Sequence, residues 1–269
     1  MKTMINGVRY HVEQYGDGFP LVLLHGFTGA ASTWKPFCPI WGNHSTLLMV
    51  DLIGHGETES PGDTARYNIK KATDDLKVLL DQLEIEKTDM LGYSMGGRIA
   101  ITFASMYPER IRKLVLESTT PGLENPADRE ARVQQDQKLA MKIETEGLEK
   151  FISFWESIPL FQSQLNLPKE IREQIRSQRL RNNPVGLSNS LRGMGTGAQP
   201  SWWDKLTTFD FETLLITGEL DDKFCKIAAD MASKLPNAKH LSIIDCGHAI
   251  HVEEREKFGT IVSEFLSNT

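Results

Sequence analysis

Gly92-Tyr93-Ser94-Met95-Gly96 sets a serine between two glycines, after the apolar Met90-Leu91 and before a helix-forming run from Arg98 to Met106. The pattern suits a sharp strand-to-helix turn that presents a hydroxyl above a sheet edge, with glycines where backbone must pass closely. A serine hydroxyl holds its proton too tightly to react alone at neutral pH. It needs an imidazole in reach and an acid to orient that imidazole. Gly218-Glu219-Leu220-Asp221-Asp222 follows the apolar run Leu214 to Thr217, and Gly247-His248 follows the run Leu241 to Ile244. Ser94, Asp221 and His248 are therefore the candidate catalytic residues, with Asp222 as the rival acid. After Leu21 to Leu24 comes His25-Gly26-Phe27. The main-chain N–H groups of Phe27 and Met95 are expected to converge on an oxyanion, a role indifferent to their side chains. His248 and His251 lack the carboxylate or cysteine partners of a metal site, so no metal and no cofactor are expected.

These loops need strands to carry them. Asn6-Gly7 between short alternating runs predicts an opening antiparallel hairpin. The apolar runs at Leu21 to Leu24, Thr46 to Val50, Met90-Leu91, Leu114 to Leu116, Leu214 to Ile216 and Leu241 to Ile244 read as strands buried on both faces. Helical spacing separates them over Asn68 to Leu83, from the serine turn to Tyr107, over Lys223 to Leu235 and over Val252 to Leu266. From Pro121 to Pro200 the strand runs vanish, and amphipathic helices punctuated by Pro159, Pro168 and Pro184 take their place. The expectation is an α/β fold: a mostly parallel sheet with an antiparallel N-terminal hairpin, helices on both faces, and an inserted helical lid. Residues 1–120 and 201–269 form the core, and 121–200 form the lid.

In 269 residues, 40% hydrophobic and 25% charged, there is material for one sizeable core. A formal net charge of −6 gives no basic footprint for nucleic acid. Cys38, Cys225 and Cys246 are too few and too scattered for a disulfide framework and suit a reducing compartment. The N-terminus lacks the apolar core of a secretion signal and no stretch approaches a membrane span, so a cytoplasmic protein is expected. A monomer is compatible with the sequence, which does not fix the oligomeric state. The segment 121–200 carries 11 Lys/Arg and 10 Asp/Glu, a net +1 in a chain of −6. Within it Arg172, Arg176 and Arg179, at i, i+4 and i+7, share one face if that stretch is helical.

The chain resembles the α/β-hydrolase superfamily over nearly its whole length. The match narrows at Gly92 to Arg98, at Glu117-Ser118 with Pro121-Gly122-Leu123, and at Arg179 with Asn182-Asn183-Pro184. It extends through Leu191 to Gly197 with Gln199-Pro200, and Gly218 to Asp221. These strings are similar to the 2-succinyl-6-hydroxy-2,4-cyclohexadiene-1-carboxylate synthases of menaquinone biosynthesis. The serine turn and triad are common to many hydrolases; the lid strings discriminate. The resemblance implies a lyase that eliminates pyruvate from 2-succinyl-5-enolpyruvyl-6-hydroxy-3-cyclohexene-1-carboxylate without cofactor, with Ser94 as a His248-activated base. The same triad could instead serve a hydrolase of esters or carbon–carbon bonds. By the same resemblance Arg132 and Arg179 bind the carboxylates of a small polycarboxylate substrate, and Tyr93 and Trp155 line the pocket. Arg98 belongs to the serine-turn string and suits either a structural ion pair or substrate contact. Met95 stands where leucine is common.

Overall fold

The computed structural model describes residues 1–267. Strands β1 (Lys2–Ile5) and β2 (Val8–Tyr15) form the opening hairpin. Its turn residues Asn6 and Gly7 both take positive φ, 47° and 81°, as the turn chemistry requires. The remaining strands are β3 (Phe19–Leu24), β4 (Ser45–Val50), β5 (Thr88–Tyr93), β6 (Ile111–Glu117), β7 (Glu212–Gly218) and β8 (Ala238–Ile243). They assemble in the order β1-β2-β4-β3-β5-β6-β7-β8, antiparallel through β4 and parallel from there on.

Although the central strands are apolar throughout, their alternation is intact. Val22, Leu24, Met90, Leu114, Leu116 and Leu215 join one buried cluster, and Leu21, Leu23, Leu91, Val115, Leu214 and Ile216 join the other. Each face therefore needs its own cover. Helices α2 (Ile69–Gln82), α3 (Met95–Met106) and α8 (Asp222–Lys234) supply the first; α1 (Cys38–Trp41) and α10 (Arg255–Ser267) supply the second.

The single C-terminal helix expected over 252–266 is instead two, with α9 (Ile250–Glu253) set apart from α10 at Glu254. Glu117, at the end of β6, anchors the first of the two. Its carboxylate accepts from both the main-chain N–H (3.0 Å) and the ring Nδ1 (2.9 Å) of His251, holding α9 to the sheet edge while α10 packs beneath.

Between β6 and β7 run α4 (Pro126–Glu146), α5 (Leu148–Ser157), α6 (Lys169–Leu180) and α7 (Pro184–Met194). They share a small buried cluster of their own, built on Ala140, Ile143, Phe151, Ile152, Leu187 and Leu191. Gly54, in the loop after β4, meets Gly186 of α7 backbone to backbone; a Cβ on Gly186 would stand 2.3 Å from the Gly54 carbonyl oxygen. Among the described residues no helix is long and apolar enough to cross a membrane.

Candidate active site

Ser94 occupies the single step between β5 and α3, at φ 50° and ψ −105°. A non-glycine residue held at positive φ is strained, and its surroundings must hold it there. They do: the Ser94 N–H donates to the Glu117 carbonyl (2.9 Å), and its carbonyl accepts from Arg98 N–H (3.0 Å) and Thr119 Oγ1 (2.8 Å). Gly96 completes the turn, since a Cβ there would lie 2.2 Å from the Leu24 carbonyl oxygen.

Ser94 Oγ is 3.0 Å from His248 Nε2, and His248 Nδ1 is 2.6 Å from Asp221 Oδ2. A carboxylate only accepts, so Nδ1 carries the proton of the neutral ring and Nε2 is left to accept from the serine. Asp221 caps α8 by accepting from Phe224 N–H (3.4 Å), and it is buried; Asp222 is the exposed first residue of that helix. Of the two acids, Asp221 alone bonds the imidazole. Glu253 brackets His248, accepting from the N–H groups of Gly247 (2.7 Å) and Ala249 (3.4 Å).

The loop after β3 is fixed by buried histidines. His25 Nε2 accepts from Leu52 N–H (3.1 Å), so its Nδ1 carries the proton and donates to the Gly26 carbonyl (2.8 Å). Burial lowers the His25 pKa, which keeps this arrangement neutral. Asp51, at the end of β4, accepts from Ala31 N–H (2.6 Å), Glu57 N–H (2.9 Å) and His11 Nδ1 (2.7 Å), tying the same loops together. Met95, the first residue of α3, presents one of the first-turn N–H groups that have no acceptor within the helix.

These elements open on a cavity of about 150 Å³ lined by Phe27, Tyr93, Ser94, Met95 and His248 from the sheet edge, and by Trp155 and Phe161 from the helical segment. Arg98 and Arg132 face the same space.

The profile of the α/β-hydrolase fold matches residues 20–255. A protein of Bacillus subtilis (strain 168), named as a 2-succinyl-6-hydroxy-2,4-cyclohexadiene-1-carboxylate synthase, is 47% identical over 268 residues, 99% of this chain and 97% of that one. This chain belongs to the α/β-hydrolase family, among those synthases. The synthase of Klebsiella pneumoniae is 34% identical over 89% of this chain and 91% of its own. The solved structure of MenH from S. aureus, at 38% identity, superposes with a TM-score of 0.91 over 96% of this chain and 97% of that one.

Against this synthase family the expected substrate residues divide. Tyr93 sits between His248 and His251, with ring centroids 5.5 and 4.5 Å away, and burial pushes its hydroxyl well above its ordinary pKa. Trp155 stacks on Phe151 and meets Phe27 edge-on at 5.4 Å; its buried indole N–H has no partner among the described residues. Arg132 donates from Nε to Asp136 Oδ1 (2.9 Å), which fixes the side chain without engaging its terminal nitrogens. Arg98 is buried and donates to the Met194 carbonyl. Burial pulls its pKa down to about 10, with Arg132 acting in the same sense and Asp136 against, so it stays charged at neutral pH.

Arg179 does not line the cavity that holds Ser94. It lies behind Phe161, its guanidinium 5.0 Å from that ring, paired with Glu156 at 3.4 Å and Gln164 at 3.5 Å. It shares with Phe27, Tyr93 and Phe161 a smaller space of about 60 Å³.

Two cavity residues stand outside the sequence-based expectations. Asp136, one turn beyond Arg132, has a second carboxylate oxygen that is buried and unpartnered. Its i, i+4 spacing from Arg132 was the available signal. Ser118 is buried at φ 47°, and no feature of its type announces that strain. Asn182, from the Arg179 string, joins the helical segment to both core loops, donating to the Thr28 carbonyl (2.8 Å) and accepting from Gly56 N–H (3.0 Å).

Proposed function

We propose that the protein is a lyase that eliminates pyruvate from 2-succinyl-5-enolpyruvyl-6-hydroxy-3-cyclohexene-1-carboxylate to give 2-succinyl-6-hydroxy-2,4-cyclohexadiene-1-carboxylate, a step of menaquinone biosynthesis in the cytoplasm. The observation that carries this is full-length similarity to the named synthases, joined to an intact Ser94–His248–Asp221 relay.

The two ring systems dictate what must move. Comparing a 3-ene with a 2,4-diene, the C2 proton leaves, its electron pair becomes the C2=C3 bond, the old π pair shifts to C4=C5, and the C5–O bond breaks. The departing enolpyruvate takes a proton to become pyruvate. C2 lies beside the succinyl ketone, so negative charge builds on that oxygen as the proton departs. Main-chain N–H groups of Phe27 and Met95 are the donors assigned to it, each worth roughly 3 kcal/mol of barrier. Ser94, its proton taken by His248 Nε2, removes the C2 proton; Asp221 holds the imidazole and stabilises its charged form. One constellation thus supports elimination as readily as acyl transfer.

Arg132 and Arg179 are assigned to substrate carboxylates, Arg132 through the terminal nitrogens that Asp136 leaves unused. Tyr93 and Trp155 are assigned to the walls, and residues 121–200 to a lid over a core made of 1–120 and 201–269.

The test is pyruvate release by a coupled assay, with substrate freshly made by the preceding enzyme. Wild-type protein should release pyruvate well above the spontaneous rate. Ser94→Ala should lower kcat by about 10³-fold or more while still binding substrate, and Arg132→Ala should raise KM. No release by the wild type, with turnover of simple aryl esters, would replace the lyase by a hydrolase.

A further inference from the structure

The helical face formed by Arg172, Arg176 and Arg179 is only partly used by the site described above. It lines a second pocket of about 300 Å³ on the outer side of Phe161, together with Lys169, Glu156 and Glu173. Phe161 is the partition between this pocket and the catalytic cavity. Its ring is 6.1 Å from His248 on one side and 5.0 Å from the Arg179 guanidinium on the other. It also sits at a non-helical kink, φ −114° and ψ 15°, within the turn Pro159–Asn166.

The charges here do not cancel. Glu156 serves two arginines, Arg176 at 2.7 Å and Arg179 at 3.4 Å. Glu173 meets Lys169 at a loose 3.6 Å with both side chains mostly exposed. Arg172, which also lines the pocket, has no ion pair among the described residues. Four cations against two carboxylates leave a local excess of positive charge on a chain whose net charge is −6.

A ligand with three carboxylates is repelled by the molecule as a whole. It is drawn to a locally positive concavity, where an unpaired guanidinium matches a carboxylate in geometry as well as charge. We propose that this outer pocket is an anion-binding antechamber: it captures a carboxylate of the incoming polycarboxylate substrate through Arg172 and Arg176 before the substrate passes Phe161. The inference rests on the substrate class assigned under Proposed function.

The test is kcat/KM for pyruvate release at about 0.01 M and about 1 M salt, between which the screening length falls from roughly 30 Å to roughly 3 Å. Three variants are compared with wild type: Arg172→Gln alone, Arg172→Gln with Arg176→Gln, and Lys87→Gln. Lys87 is exposed just before β5, at the sheet edge opposite Ser94, and removes the same charge elsewhere. At low salt the double variant should lose roughly 3- to 10-fold, with a smaller loss in the single variant, both rejoining wild type at high salt while Lys87→Gln tracks wild type throughout.

Variants that follow wild type at both salt concentrations would overturn the antechamber. A deficit that persists undiminished at high salt would also overturn it, by marking a packing loss instead. Failure of the wild type to release pyruvate would sink the assigned activity, and this inference with it.

Discussion

At the scale of single residues, the two neighbouring acids make a sharp comparison. Asp221→Asn keeps the side chain's shape but offers a donor as readily as an acceptor, so His248 loses the tautomer that leaves Nε2 free for Ser94; a fall in kcat of about 10⁴-fold is expected. Asp222→Asn, exposed at the start of α8, should change kcat by less than about 2-fold, allowing for the weak field of a surface charge. Steady-state pyruvate release on both variants checks this. The meeting of Ser94, His248 and Asp221 was legible in the sequence because each follows a strand, and a strand's end fixes a side chain's position without knowledge of the rest. Arg179 was legible as a member of a helical face and, through the resemblance, as a carboxylate ligand, but its place was not. That it lies behind Phe161 depends on a kink within 159–166, and no local pattern encodes it.

His55 carries a pH prediction at the same scale. Burial, reinforced by the neighbouring His25, lowers its pKa from 6.5 to about 3, and burial moves His25 in the same direction. The unfolded chain takes up these protons near pH 6.5 while the folded chain refuses them. The stability that His55 lends is thus complete above 6.5 and is lost as pH falls from there toward 3, at up to about 1.4 kcal/mol per pH unit, and His25 acts in the same direction. Urea midpoints for wild type should drop between pH 7.5 and 5, and more steeply than those for His55→Asn. Parallel slopes would mean that the buried ring accepts its proton freely. His55 stands between Gly54 and Gly56 in the sequence, which says nothing of its burial, since burial depth is a property of the packed fold.

At the scale of elements, two contacts between backbones set how closely layers approach. Gly96 lets α3 press against the end of β3, and Gly186 lets α7 lie on the loop after β4. In both, the obstacle to a side chain is a carbonyl oxygen that cannot rotate away. Gly186→Ala should lift α7 from the core and, through Asn182, disturb the loop carrying Phe27. We expect KM to rise several-fold, with a stability loss of about 1–3 kcal/mol, as for an overpacked contact. Gly96→Ala should cost more, because it acts inside the serine turn itself. Denaturant unfolding alongside kinetics separates the two. The helices and strands themselves were readable from period and punctuation. The split of the last helix at Glu254 was not, and neither was the anchoring of the short α9 by Glu117, far away in sequence, which bonds both the ring and the main chain of His251.

At the scale of the whole molecule, the helices between β6 and β7 have a small apolar cluster of their own, linked to the core through Met194 and Phe27. The smaller cluster has fewer buried side chains to hold it, so those helices should open first. Amide exchange should be faster across 126–194 than across β3, β5 and β6, and substrate should slow it there selectively; uniform exchange would indicate one cooperative unit. The alternation of strand and helix made the sheet legible from sequence, whereas the contacts that join the helical segment to the core, among them the Asn182 bridges, the Gly54–Gly186 approach and buried Met194, are announced by no periodicity. β6 and β7 run parallel, so their connection must cross from one end of the sheet to the other, but within it the Pro121 carbonyl accepts from Trp202 N–H (2.8 Å), so everything from residue 122 to 201 departs and returns at one point. The core therefore meets that whole stretch as one insertion joined at a single point. It is a natural graft point, where a descendant or an engineer can exchange the cover and its arginines for another and keep the proton relay beneath.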